Sequence, residues 1–141
     1  MRWISIFVVF LICACSPDKE STIFNPNNPE YAAYHFLKAL YIDQSVTETQ
    51  KFSGHDLKQL LKHYHIASAV QRHVLNLPLH DVQLEVQEID IDFFRKMDGE
   101  VKIRMKMTGT RNDRPWFDTR LLAVNKENNK WLVTKIIFDQ R

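Results

Sequence analysis

Histidines, cysteines and one strand-borne carboxylate are the residues of this 141-residue chain whose types and spacing could do chemistry. The six histidines raise metal binding first. His63 and His65 are two positions apart, which on a helix turns them about 200° from one another, so they cannot share an ion. There is no HExxH pair, and both cysteines, Cys13 and Cys15, fall in an apolar N-terminal run, leaving no thiol elsewhere to complete a shell. No metal and no cofactor are therefore expected. Neither a Ser-His-Asp arrangement nor a Gly-rich phosphate loop can be recognised. Asp118 stands between Trp116 and Arg120, where it could serve as an acid or base or simply pair with Arg120 or Arg114 at the sheet surface. A basic stripe, Lys102, Arg104 and Lys106, completes the set of reactive or charged groupings.

Composition narrows what these groups can serve. At 45% hydrophobic and 26% charged residues the chain is an ordinary globular sequence, long enough for one domain and not two. Its formal charge is +2, falling to +1 if Arg2 is removed with a leader. That near balance offers no electrostatic footprint for nucleic acid. The N-terminus is more telling. Met1-Arg2 supplies a positive charge, and Trp3 to Ala14 is an unbroken apolar and small run. About a dozen apolar residues suit a signal peptide, whereas a spanning helix needs roughly 20. The run stops at Ser16-Pro17-Asp18-Lys19-Glu20.

Ile12-Cys13-Ala14-Cys15 resembles the bacterial lipobox, with Cys13 standing where Ala, Ser or Thr is usual. The resemblance implies cleavage between Ala14 and Cys15 and acyl chains on Cys15 that hold the protein to the membrane. Ser16 in the following position implies sorting to the outer membrane, with the protein facing the periplasm. On this reading residues 1–14 are a signal peptide and 15–28 a lipidated, flexible tether. Residues 29–141 form a single domain.

The domain opens with a helix. Asn28 can cap it, Pro29 suits its first position, and Ala33, Phe36, Leu37, Leu40 and Tyr41 recur at helical spacing to about Ile42. Ser45 and Glu48 form a capping-box pair for a short second helix, Val46 to about Phe52. A third starts near Ser53-Gly54-His55-Asp56 and continues or restarts through Val70, Val74 and Leu75 until Pro78. From Val82 the period changes to 2. Val82, Leu84 and Val86 share one face, and the phase then slips to Ile89, Ile91 and Phe93, which marks a β-bulge near Gln87-Glu88. Further strands run through Val101–Met107, Trp116–Val124 and Trp131–Phe138, with polar turns at Asn112–Pro115 and Asn125–Lys130.

Met97-Asp98-Gly99 reads as a three-residue hairpin loop with Gly99 at positive φ. It would pair Lys96 with Glu100, Phe93 with Ile103, Ile91 with Met105 and Ile89 with Met107. On the opposite face it sets Asp92 against Arg104 and Asp90 against Lys106, so the basic stripe is expected to be a self-neutralised, solvated face. The resulting fold class is α+β, with N-terminal helices packed on a bent four-stranded antiparallel meander.

Pro29-Glu30-Tyr31-Ala32-Ala33-Tyr34-His35-Phe36-Leu37-Lys38-Ala39-Leu40 followed by Asp43, together with the closing Asn129-Lys130-Trp131-Leu132-Val133, resembles the nuclear transport factor 2-like, or cystatin-like, superfamily. That resemblance implies a bent sheet wrapping the first helix as a cone, with Trp131 packed near Phe36 or Leu40. Enzymes of that superfamily use carboxylates in an apolar pocket. The corresponding pocket here would hold Tyr34, Tyr41, Trp116 and Asp118, with Asp118 as base and a tyrosine as donor. Because no pair of titratable groups is visibly set in one apolar site, the expected function is non-enzymatic, with catalytic residues none. The domain would bind an envelope protein partner or a small apolar ligand. A small isomerase- or dehydratase-type enzyme is the alternative.

Overall fold

The computed structural model describes residues 23–90 and 99–138. The lipobox-like stretch Ile12-Cys13-Ala14-Cys15, and Ile91, Asp92, Phe93 and Lys96 of the expected hairpin, lie outside them. The first helix, α1, spans Pro29–Tyr41. Pro29 presets its opening φ, but the Asn28 side chain makes no cap bond. One long face is buried, through Ala32, Ala33, Phe36, Leu37, Leu40 and Tyr41. Helix α2, Val46–Lys51, is capped by Ser45 Oγ, which accepts from the Glu48 N–H at 3.1 Å. Of the two expected courses of the third helix the restart is the one formed, as α3 (His55–Leu61) and α4 (Ala67–His73), giving the domain four helices among its described residues. The chain turns after Leu61 and becomes extended at Ile66, at φ −128 and ψ 144. The intervening residues include two histidines and a β-branched isoleucine, all mediocre helix formers.

Four strands follow: β1 (His80–Asp90), β2 (Val101–Arg111), β3 (Arg114–Glu127) and β4 (Lys130–Ile137). They form one antiparallel meander in the order β1-β2-β3-β4. The bulge falls at Gln87, between Val86↔Met105 and Glu88↔Arg104, where the phase slip placed it. A second irregularity lies between His80 and Gln83.

The expected β1–β2 register is not the one formed. Ile89 faces Ile103 rather than Met107, Met107 faces Leu84, and Asp90 faces Lys102 rather than Lys106. Gly99 does have the expected positive φ, at 69°, while Met97 and Asp98, the rest of the expected loop, lie outside the described residues. In the register formed, position 88 pairs with 104 and Glu85 with Lys106, whose Nζ is 3.8 Å from the Glu85 carboxylate. The other two hairpins are two-residue turns, Asn112-Asp113 (φ 51 and 61) and Asn128-Asn129 (φ 50 and 64). Positive φ at both central positions suits the twist of the flanking strands, and Asn and Asp tolerate it. The second turn is therefore tighter than the expected Asn125–Lys130: β3 runs on to Glu127 and β4 begins at Lys130.

Alternate residues of β2, Val101, Ile103, Met105 and Met107, face the helices together with Leu122, Val124 and Val133. Against them pack Phe36, Leu37 and Leu40 of α1, and Leu75, Leu77 and Leu79 from the segment entering the sheet. Polar side chains hold that segment by its carbonyls. Tyr41 Oη donates to Leu77 O at 2.6 Å, and Arg120 Nε donates to Leu75 O at 2.9 Å. Gln71 Nε2 donates to Leu40 O at 3.1 Å. A parallel bridge, Ser53↔Val133, ties the entry to α3 against β4.

Candidate functional site

Of the residues nominated from sequence, the structure brings Tyr41 and Asp118 into one neighbourhood, with Tyr34 against His35 and Trp116 at the end of the β2–β3 hairpin. Positions 114, 116, 118 and 120 share a face of β3, and their partners on β2 are Arg111, Gly109, Met107 and Met105. Asp118 thus points to the helix side of the sheet. Its Oδ2 is 3.4 Å from Arg120 Nη1, and its Oδ1 accepts the Thr119 N–H at 2.8 Å. Arg120 also reaches Asn76 O at 3.2 Å and Thr119 O at 2.7 Å, so its guanidinium is fully engaged. Tyr41 lies in the same neighbourhood. Burial pushes its phenol well above the usual range, with a smaller downward pull from Arg120 and a smaller upward push from Asp118. Its proton is committed to Leu77 O. The Tyr41 phenol and the Arg120 guanidinium, which Asp118 accompanies, fix the 75–77 segment by its carbonyls. Tyr34 is elsewhere, half-buried against the core with its ring edge-on to His35 at 5.4 Å. Trp116 lies beyond Asp118 on the same face and is 43% exposed, so the described helices do not cover it.

Two concave regions stand out instead. An open cleft of about 600 Å³ runs between α3, the Tyr64 turn, α4 and the end of β4. Leu57, Leu60, Tyr64, Val74, Ile136 and Phe138 make it apolar, with Asp56, His73 and Lys135 among its polar lining. Leu60 is 45% exposed and Phe138 49%, an unusual expense of large apolar surface in a small domain. The Tyr64 and His73 rings stack at 6.3 Å. The sequence carries no signal for this cleft: Leu57, Leu60 and Tyr64 fall on one stripe at helical spacing, and only tertiary packing separates buried Leu57 from exposed Leu60. The second region, about 490 Å³, is lined by Arg111, Asn112, Arg114 and Trp116 at the end of the β2–β3 hairpin. Arg111 Cζ lies 5.3 Å from the centroid of the Trp116 ring.

A third cluster belongs to the N-terminal segment. His35 packs 4.1 Å from the Tyr31 ring and stacks on Phe52 at 5.5 Å. Desolvation lowers its pKa, partly opposed by a hydrogen bond with the Ile23 backbone. Trp131 is half-buried against the core, as its expected place near α1 required in part, but its Nε1 donates to Asn27 O at 2.9 Å. Among the described residues no group of histidine, cysteine, aspartate and glutamate could hold a metal ion, and no helix is long and apolar enough to cross a membrane. His63 Nδ1 lies 3.0 Å from Gln59 O.

No family model and no curated protein sequence matches the chain. A solved structure of a designed nuclear transport factor 2-like protein carrying five substitutions is similar to it, with a TM-score of 0.51 and 12% identity over 75% of this chain and 91% of that one. At that identity the likeness is one of fold. Helices on an open four-stranded antiparallel sheet make the nuclear transport factor 2-like α+β arrangement that residues 29–40 and 129–133 resemble.

Proposed function

We propose that this chain is a lipid-anchored envelope protein whose domain binds an apolar ligand, or an apolar segment of a protein partner, without catalysing a reaction. The observation that carries the binding half is the open cleft at Leu57, Leu60, Tyr64, Val74, Ile136 and Phe138. Apolar clefts with a few polar groups at the rim are the usual form of such sites, and folding alone gives no reason to leave Leu60 and Phe138 in water. The isomerase- or dehydratase-type alternative has the nearness of Tyr41 to Asp118 in its favour. Against it stands Arg120, which already pairs with that carboxylate at 3.4 Å. The anchor half rests on Ile12-Cys13-Ala14-Cys15 and the apolar run before it. Cys15 precedes Ile23 by eight residues, a reach of roughly 30 Å when extended, so the domain would stay close to the bilayer surface.

Two experiments test the halves separately. Cys15→Ser should abolish acyl labelling while Cys13→Ala leaves it intact, and normal labelling of the Cys15→Ser protein would remove the anchor. A photo-crosslinking side chain at position 60 or 138 should capture a stoichiometric envelope partner or an extractable apolar molecule. The same probe at exposed Lys58 should not. Equal capture from positions 58 and 60 would contradict a binding cleft.

A further inference from the structure

The end of the β2–β3 hairpin carries a feature that stability does not explain. Arg111 and Arg114 are directly opposed cross-strand partners, closing the ladder at the Asn112-Asp113 turn. Like charges in that position are destabilising. Among the described residues neither guanidinium has an ion pair, Asp113 of the same turn included, while Asp118 further along the face is held by Arg120. Both arginines line the cavity of about 490 Å³, with Asn112 as a further polar wall and Trp116 as its aromatic one. Trp116 is 43% exposed and sits opposite Gly109. An added Cβ at Gly109 would meet His80 O at 2.5 Å, so the glycine lets β1 close up without a side chain opposite the indole.

We propose that this hairpin end is an oxyanion-binding site, taking a phosphate- or carboxylate-bearing ligand whose flat or apolar body rests on Trp116. Two guanidinium groups facing one cavity match the geometry of a phosphate or carboxylate, since each can donate a fork of two N–H bonds. A bound anion also relieves the repulsion between the arginines, so the site is strained when empty and relaxed when filled. Asn112 adds an amide donor, and the exposed indole face gives the ligand's body a surface to cover. The site stands apart from the apolar cleft and does not depend on it.

Its place in the molecule narrows the source of the anion. The N-terminal segment is fastened to Trp131, beside the β3–β4 turn, whereas Arg111 and Arg114 lie at the far end of β3. Fourteen residues of strand separate those ends by on the order of 45 Å. If Cys15 is lipidated, the site lies at the end of the sheet farthest from where the tether joins the domain, which favours a soluble anion of the envelope space over a headgroup of that membrane.

Calorimetric titration of the full-length protein in an uncharged detergent tests this, with phenyl phosphate, benzoate, inorganic phosphate and benzyl alcohol as probes. Saturable binding of phenyl phosphate or benzoate is expected, with inorganic phosphate weaker and benzyl alcohol silent. The tighter of the first two names the oxyanion, and either one supports the site. Arg111→Gln and Arg114→Gln should each weaken binding about ten-fold or more, the scale of one charge-assisted hydrogen bond. Arg114→Gln should not lower the melting temperature of the ligand-free protein, because it removes a repulsion, whereas Arg111→Gln also gives up the contact with Trp116. Lys58→Gln, a remote control, should bind as the parent does. Absence of saturable binding would overturn the proposal. So would arginine variants that bind as the parent does, or benzyl alcohol binding as tightly as phenyl phosphate.

Discussion

Trp131 and Trp116 occupy opposite ends of one sheet, and each has a cation over its ring. Lys126 Nζ is 5.2 Å from the Trp131 centroid, and Arg111 Cζ is 5.3 Å from that of Trp116. The similarity ends there. Trp131 packs on the core and its N–H holds the backbone that leads into α1. Trp116 lies past the last helical cover, beside two arginines and a cavity. The same residue type, on the same face of the same sheet, is a fastening at one end and an open surface at the other. What differs is whether the helices reach it. A strand longer than the layer covering it leaves a ledge, and in this domain that ledge carries aromatic and cationic side chains.

The largest effect that would sharpen this contrast is on stability. Trp131→Ala should lower unfolding free energy by about 2–3 kcal/mol, less than a fully buried tryptophan because the ring is only half covered. Trp116→Ala should stay within about 0.5 kcal/mol. Urea midpoints measured on both variants check the pair, and equal losses would erase the distinction.

Gly109 makes the open end less simple. Its Cβ position is blocked by the His80 carbonyl, so Gly109→Ala should cost about 1–2 kcal/mol through displacement of β1, although its neighbour Trp116 contributes almost nothing. Gly99 provides the converse case. Nothing lies within 4 Å of its Cβ position, but its φ is 69°. Gly99→Val should therefore cost about 1 kcal/mol from backbone strain alone. Melting curves distinguish the two, since Gly99→Asn should recover most of the loss and Gly109→Asn none.

A smaller effect separates the ends by pH. Desolvation lowers the pKa of His35, so the folded state binds fewer protons at this site than the unfolded chain does. The stability it contributes is complete above the ordinary histidine value of about 6.5 and is lost as pH falls through the lower folded-state value. Acidification should thus loosen the segment that Ile23 and Asn27 fasten before it affects the hairpin end. Hydrogen exchange of the Tyr31 and Trp131 amides against those of Arg111 and Trp116, from pH 7.5 down to 5, should show that order. His35→Phe should flatten it.

Much of this architecture was legible in the chain. Helix α1 and the Ser45 cap follow from apolar spacing and a capping pair, both local signals. The bulge at Gln87 showed as a phase slip because burial on one face forces the period of 2 to restart. The β1–β2 register was not legible. Acids recur at Glu85, Glu88 and Asp90, so the three cations of β2 find opposite charges in more than one alignment, and agreement of sign cannot select among them. Gly99 misled for a related reason. Its positive φ is real, but one left-handed residue does not by itself fix where a hairpin closes. For the site, the alternation that put Trp116, Asp118 and Arg120 on one face was visible, whereas its distance from helical cover was not. That distance depends on where α1 and the 75–77 segment end over the sheet, which is a tertiary fact. The split of Leu57 from Leu60 has the same origin.

The most direct test of the contrast uses two single-tryptophan proteins, made with Trp3→Phe and either Trp131→Phe or Trp116→Phe. Acrylamide quenching and emission wavelength are then read with and without phenyl phosphate. The protein retaining Trp116 should emit to the red, quench freely and become shielded on adding the anion. The protein retaining Trp131 should emit to the blue, resist quenching and ignore the anion. A shielded, unresponsive Trp116, or a Trp131 that quenches as freely as its counterpart, would contradict the account.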